Sequence, residues 1–229
     1  FPLTMLDDHS RYCLALDAHT NQRTEGVWRS FVRVFRRCGV PGQILFDRGV
    51  PWYATTSDHG LTRLGVRLIQ QDIELIFGSP RHPQTRGKVE RYHGSLARWL
   101  DHKGLPTSLP GFKKALKVFR EDYNNIRPHE SLEMQTPASR WVPSGRPYSP
   151  HPPEWVYPEG STIKRVSSWG AISVKGRTLF VCEALVGESV RCLELEETLL
   201  VLYRHMVIRQ IDLRTGRSRP VVRPHDRNV

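Results

Sequence analysis

Two carboxylates stand where chemistry could be done. Asp47 ends the short apolar run Gln43-Ile44-Leu45-Phe46 and is followed by Arg48-Gly49, and Glu90 lies in the block His82-Pro83-Gln84-Thr85-Arg86-Gly87-Lys88-Val89-Glu90-Arg91. Strand ends in α/β sheets face the working crevice. The 42 residues between the two acids are enough chain for a helix, a strand and a loop, so both can return to one place. Convergent carboxylates with few other donors suit Mg²⁺, which takes oxygen ligands and keeps waters that phosphate oxygens can replace. Two such ions about 4 Å apart clamp an in-line phosphoryl displacement. Arg86, Lys88, Arg91 and Arg98 surround Glu90 with positive charge, and Arg48 adjoins Asp47. The alternative is structural: Glu90 as one arm of a surface salt bridge with Lys88 or Arg91. His82 and His93 flank Glu90, but imidazoles suit Zn²⁺ better than Mg²⁺. His82 therefore reads as a loop-positioning or phosphate-contacting residue.

These side chains need elements to hold them. Pro83 suits a helix entrance, with Gln84 or Thr85 as cap. From there Val89, Tyr92, Leu96 and Trp99 recur at helical spacing, giving a helix that reaches about His102 with one buried face and Glu90 beside it. Upstream, Phe1–Leu6 and Arg11–Leu16 read as a hairpin around the turn Asp7-Asp8-His9-Ser10. Asp7 is expected to cap that turn through Ser10 or Arg11. Thr24–Arg37 is an amphipathic helix ended by Gly39-Val40-Pro41-Gly42. A weaker helix spans Asp58–Ile69, Glu74–Phe77 is a short strand, and Phe112–Tyr123 is a further amphipathic helix. Strand–helix–strand order argues for an α/β layer.

Beyond this the composition changes. Seven prolines fall between Pro137 and Pro158, which reads as a linker at residues 136–160 pinned by Trp141, Trp155 and Tyr157. Short alternating runs then recur between turn signals over residues 161–213, and this spacing predicts a small antiparallel barrel. Residues 214–229 are Arg-rich and read as a mobile basic arm. Residues 1–135 are left as the first domain.

The formal charge is +11, and 27 of the 34 basic residues are Arg. That balance predicts a polyanionic partner, with Arg favoured for planar phosphate contacts. Four unpaired cysteines, at 13, 38, 182 and 192, read as buried free thiols rather than disulfides or a zinc site. No apolar run is long enough to span a bilayer.

The chain resembles the retroviral-integrase-type catalytic core of bacterial insertion-sequence transposases, the DDE recombinases. The resemblance covers about residues 1–140. It rests on Leu6-Asp7-Asp8-His9-Ser10-Arg11-Tyr12, Gly39-Val40-Pro41, Phe46-Asp47-Arg48-Gly49 and above all on the block ending in Glu90-Arg91. Tyr123-Asn124 with Arg127-Pro128-His129 resembles the segment after the core. The resemblance implies an RNase H-like mixed sheet flanked by helices, followed by the small all-β C-terminal barrel. It implies metal-dependent DNA cleavage and strand transfer, with Mg²⁺ or Mn²⁺ as cofactor. Asp47 becomes the second catalytic and metal-binding carboxylate and Glu90 the third. Arg48, Arg86, Lys88, Arg91 and Arg98 become DNA contacts. The implied partners are double-stranded DNA, both element ends and target, and further copies of the chain, with no membrane, in the bacterial cytoplasm at the nucleoid. Arg48 departs from the family, which usually has Asn there. The first carboxylate is expected upstream of Phe1. That leaves a catalytically inactive DNA-binding remnant as the alternative, and this chain alone is expected to bind DNA with little cleavage. An RNase H-like nuclease without strand transfer is a third reading, which the His-Pro-Gln-Thr block argues against.

Overall fold

A computed structural model describes residues 2–21, 23–46, 53–54, 60–77 and 87–221. The chain divides into two compact units, residues 1–40 with 81–148, and residues 41–80 with 149–229. The fold is mixed α/β.

The first unit is built on a hairpin. Strand β1 (Pro2–Leu6) pairs antiparallel with β2 (Cys13–Ala18). The turn between them matches the expected capping. The Asp7 carboxylate accepts from the Ser10 backbone N–H at 2.7 Å and from the Ser10 hydroxyl at 2.6 Å. Ser10 is fully buried. The register shifts between Met5 and Leu6, which face Ala15 and Cys13, so Leu14 is the extra residue of a bulge. One extra residue flips the side-chain alternation. Cys13 thereby joins Leu16 in one apolar cluster, while Ala15 sits in another.

Helix α1 (Thr24–Cys38) supplies Val34 and Cys38 to the cluster around Ala15. It ends at Gly39, whose φ of +78° favours glycine. A Cβ there would stand 2.1 Å from the Ser144 carbonyl oxygen, so no other residue fits the close approach. Helices α2 (Arg63–Gln70), α3 (Gly87–Lys103), α4 (Leu109–Asn125) and the single turn α5 (Pro137–Arg140) follow in the chain. In the first unit Tyr92 and Leu96 of α3 pack with Leu116, Phe119 and Tyr123 of α4 on the Cys13–Leu16 face. After α5, Trp141 stacks on Tyr12 with ring centroids 4.5 Å apart. Tyr148 packs edge-on to Trp28 at 6.4 Å. The proline-rich stretch is thus held down by aromatic rings as far as Tyr148.

The second unit pairs β3 (Gln43–Phe46) parallel with β6 (Glu74–Phe77), in register from Gln43↔Glu74 to Phe46↔Phe77. A short ladder, β4 (Tyr53–Ala54) with β5 (Gly60–Leu61), precedes α2. The helix expected from Asp58 begins only at Arg63. Thr62 caps it by accepting the Gly65 N–H at 3.2 Å.

The C-terminal β region also belongs to this unit. Five strands form one antiparallel sheet in the order β13 (Ser218–Pro220), β12 (Met206–Asp212), β11 (Thr198–Tyr203), β10 (Ser189–Leu195), β7 (Thr162–Arg165). Strands β8 (Ala171–Val174) and β9 (Arg177–Phe180) make a separate hairpin. The expected barrel is corrected: among the described residues the sheet is open, because β7 and β13 are its two edges and do not pair. The basic arm is corrected too, since Ser218–Pro220 pairs with Arg209–Ile211. Residues 222–229 lie outside the described ones. Within the unit, Gln70 donates to Tyr203 Oη at 3.0 Å, and Tyr203 donates to Glu188 at 2.8 Å. Trp155 and Tyr157 hold the second half of the proline-rich stretch, Tyr157 Oη accepting the Arg204 N–H at 2.9 Å. The Arg204 guanidinium lies 5.8 Å from the Trp155 ring.

All four cysteines are free and buried, as expected. Among the described residues no helix is long and apolar enough to cross a membrane.

Candidate functional site

Helix α3 carries the described part of the site. Tyr92, Ser95 and Leu96 are its buried residues. At about 100° per residue, Glu90 lies some 160° round from Tyr92 and is exposed to solvent. It sits in the first turn, where the helix dipole favours a carboxylate. Among the described residues Glu90 makes no ion pair. The salt-bridge alternative fails for Lys88, whose ammonium bonds the Asp8 carboxylate at 2.6 Å and the Asp8 carbonyl at 3.1 Å. Arg91 is exposed and makes no ion pair among the described residues. Arg98 is exposed and donates to the Gly94 carbonyl at 3.2 Å.

Three contacts fix this helix to the hairpin. Lys88 holds the Asp8 turn. His93 Nε2 lies 2.8 Å from Thr4 Oγ1. The buried Tyr92 hydroxyl donates to Cys13 Sγ at 3.0 Å. Burial pushes the Cys13 thiol up to about 12 and raises the Tyr92 phenol well above its ordinary value. Both stay protonated, so this pair positions the helix and offers no nucleophile.

Asn124 is a functional support that periodicity alone does not reveal. It is buried at the end of α4. Its Oδ1 accepts the Cys13 N–H at 2.8 Å and its Nδ2 donates to the Cys13 carbonyl at 3.0 Å. The only sequence signal was its place in the Tyr123-Asn124 motif. Next to it, the His129 ring packs edge-on to Tyr123 at 4.6 Å.

Asp47, Arg48, Arg86 and His82 lie outside the described residues. Of the nominated site residues, the structure places Lys88, Glu90, Arg91 and Arg98 together on α3. Among the described residues no group of three or more His, Cys, Asp or Glu converges. The donor chemistry that is present, an exposed carboxylate without a cationic partner among the described residues, fits a hard oxygen-liganded cation.

Residues 71–137 match the family model described as integrase core domain. Over this segment the chain is similar to integrase core domains. The segment contains α3 with Glu90, and Asn124. The chain is 25% identical over 158 residues to the transposase for transposon Tn552 of Staphylococcus aureus. That match covers 60% of the chain and 31% of the relative, so the chain spans about a third of that transposase's length. Among solved structures, it is similar to the HTLV-2 integrase catalytic core domain in complex with magnesium, at 14% identity over 60% of this chain and 82% of that one, TM-score 0.45. It is also similar to the catalytic core domain of BIV integrase, at 20% identity over 59% and 81%, TM-score 0.45.

Histidines in the first unit make its stability pH-dependent. Burial lowers the pKa of His19 and His129 and, with less weight because that residue is exposed, of His93; at His19 the Asp17 carboxylate opposes the shift while Arg33 adds to it, and at His129 Arg127 adds to it. The folded unit therefore binds fewer protons than the unfolded chain below the ordinary value of about 6.5. Stability is fully present above that value and falls as pH drops through the depressed folded-state values. Thermal unfolding at pH 7.5 and 5.5 should show the lower Tm at 5.5. Equal values would contradict the burial of these rings.

Proposed function

We propose that this chain is the catalytic part of a DNA transposase of the DDE type, which cleaves element ends and joins them to target DNA. The observation that carries the reading is Glu90, an exposed carboxylate with no ionic partner among the described residues, set in the first turn of α3 within the segment that matches the integrase core model. Asp47 and Glu90 are the proposed catalytic pair, and Arg48, Arg86, Lys88, Arg91 and Arg98 the proposed DNA contacts. The two carboxylates would hold Mg²⁺ or Mn²⁺, which when bound supplies Lewis-acid activation of the attacking oxygen and charge neutralisation at the leaving one. The Tn552 relationship supports transposition over simple hydrolysis.

The protein's own share is positioning. The cations on α3 hold phosphates without reading sequence. Lys88, bound to Asp8, ties the hairpin turn to the same helix end. Residues 1–135 are proposed as the catalytic division and 161–213 as an accessory β division, with 136–160 joining them and 214–229 adding basic charge. That is a division of roles, not of compact units. Assembly of several copies on DNA belongs to the same proposal, and it places the protein at the nucleoid.

The direct test is duplex binding against salt. Each phosphate neutralised contributes about −0.9 to the slope of log K against log salt. With +11 net charge the slope should be steep. A flat titration would mean that the charge serves only solubility and would end the DNA reading.

A further inference from the structure

Outside α3, the first unit holds a second concentration of positive charge. A groove of about 500 Å³ runs beside the end of β2, between α1 and α4. Arg29 and Arg33 line it from α1, Lys113, Lys117 and Arg120 from α4, and Asp17 and His19 from the strand end. Asp17 bonds Arg33. Arg120 pairs with Glu121 at 2.9 Å. Arg29, Lys113 and Lys117 are exposed and make no ion pair among the described residues. Five cations therefore face a single lining carboxylate. None of these residues is on α3.

We propose that this groove is a second binding track for the phosphate backbone of duplex DNA, separate from the Glu90 helix. The proposal rests on the DNA reading above. Spacing and charge select the occupant. Lys113, Lys117 and Arg120 span eight residues of α4, seven steps of 1.5 Å or about 10 Å. Arg29 and Arg33, one turn apart on α1, span about 6 Å. A single phosphate would engage only part of this track. One DNA strand presents a charge every 3.4 Å along its axis, so about three successive phosphates match its length. A second copy of the chain would oppose like charge to like across the groove. Contacts of this kind set the orientation of a duplex without reading its sequence. A track away from Glu90 would hold DNA flanking the reacting phosphate and fix its path.

The test compares two sets of variants on the intact protein with a labelled duplex of arbitrary sequence. Removing three cations, by Arg29→Ala with Lys113→Ala and Lys117→Ala, should reduce the salt slope by about two to three. Affinity near 0.1 M salt should fall about 10²–10³-fold. Because these side chains are exposed and make no ion pair among the described residues, Tm should not move. Lys113→Arg with Lys117→Arg keeps the charge and should keep the slope. If the triple variant binds like the parent while Arg91→Ala with Arg98→Ala loses affinity, the groove is overturned and the DNA reading stands. If the triple variant changes oligomeric mass but not DNA affinity, the groove is a protein contact and the proposal fails. If the parent binds duplex without salt dependence, both fail together.

Discussion

Glu90→Gln is expected to abolish metal-dependent cleavage and strand transfer while leaving duplex binding intact. The substitution preserves size and shape, replaces one acceptor oxygen by an NH2 donor and removes one negative charge at an exposed position. No ion pair is lost among the described residues, so the fold has no reason to respond. A phosphate backbone loses a repulsive neighbour, and DNA affinity should hold or rise slightly. The chemical step is different. Removing one preorganised electrostatic contact commonly costs about 10²–10³ in rate, and losing the charge of a proposed metal-holding carboxylate should cost at least that. Asp47→Asn should behave in the same way. The assay is joining of a labelled element-end duplex to plasmid in Mg²⁺ or Mn²⁺. Rates within about tenfold of the parent would remove Glu90 from the catalytic set. Lys88→Ala makes a useful contrast. It breaks the bond to Asp8, so it should loosen the hairpin turn as well as weaken DNA binding.

The amphipathic elements were legible because their signals are local. The period of Thr24–Arg37 gave α1 to within a residue, and Phe112, Leu116, Phe119 and Tyr123 gave the inner face of α4. Asp7 as the turn cap followed from its spacing to Ser10. What escaped was non-local. Leu61, Leu64 and Leu68 fit a helical phase, yet Leu61 belongs to a strand and Thr62 supplies the cap. The alternating runs after Thr162 are visible in the sequence, but period alone does not say whether edge strands meet, and the same alternation fits an open sheet as well as a barrel. Ser218–Pro220 was hidden by its arginines. The bond of Lys88 to Asp8 was hidden because the two residues are 80 apart in the chain. At the site, helix periodicity puts Glu90 beside the buried face of α3, and the structure turns it to solvent; Asp47 lies outside the described residues.

Asn124→Ala should be among the most damaging substitutions in the first unit. Among the described residues β2 pairs only with β1, so its other edge must find partners elsewhere. At Cys13, beside the bulge, the Asn124 amide substitutes for a neighbouring strand: it accepts the N–H and donates to the carbonyl of one residue. Cys13 is fully buried, and water does not replace these bonds without opening the core. Each unsatisfied buried group costs about 1–3 kcal/mol. Loss of the pair therefore predicts a destabilisation of about 2–5 kcal/mol, on the order of 10 °C or more in Tm. Asn124→Asp should do little better, because an ionised carboxylate cannot donate to the Cys13 carbonyl and its charge would be buried beside Cys13 and the Tyr92–Tyr123 ring pair. The effect should reach function by a traceable route. Cys13 receives the Tyr92 hydroxyl, and the hairpin it belongs to holds Lys88 through Asp8, so the helix bearing Glu90 loses two of its anchors. Strand transfer should fail at a lower temperature in the variant than in the parent, and duplex binding through exposed cations should persist further. A loss below about 1 kcal/mol in a denaturant titration would mean that the β2 edge is satisfied without Asn124.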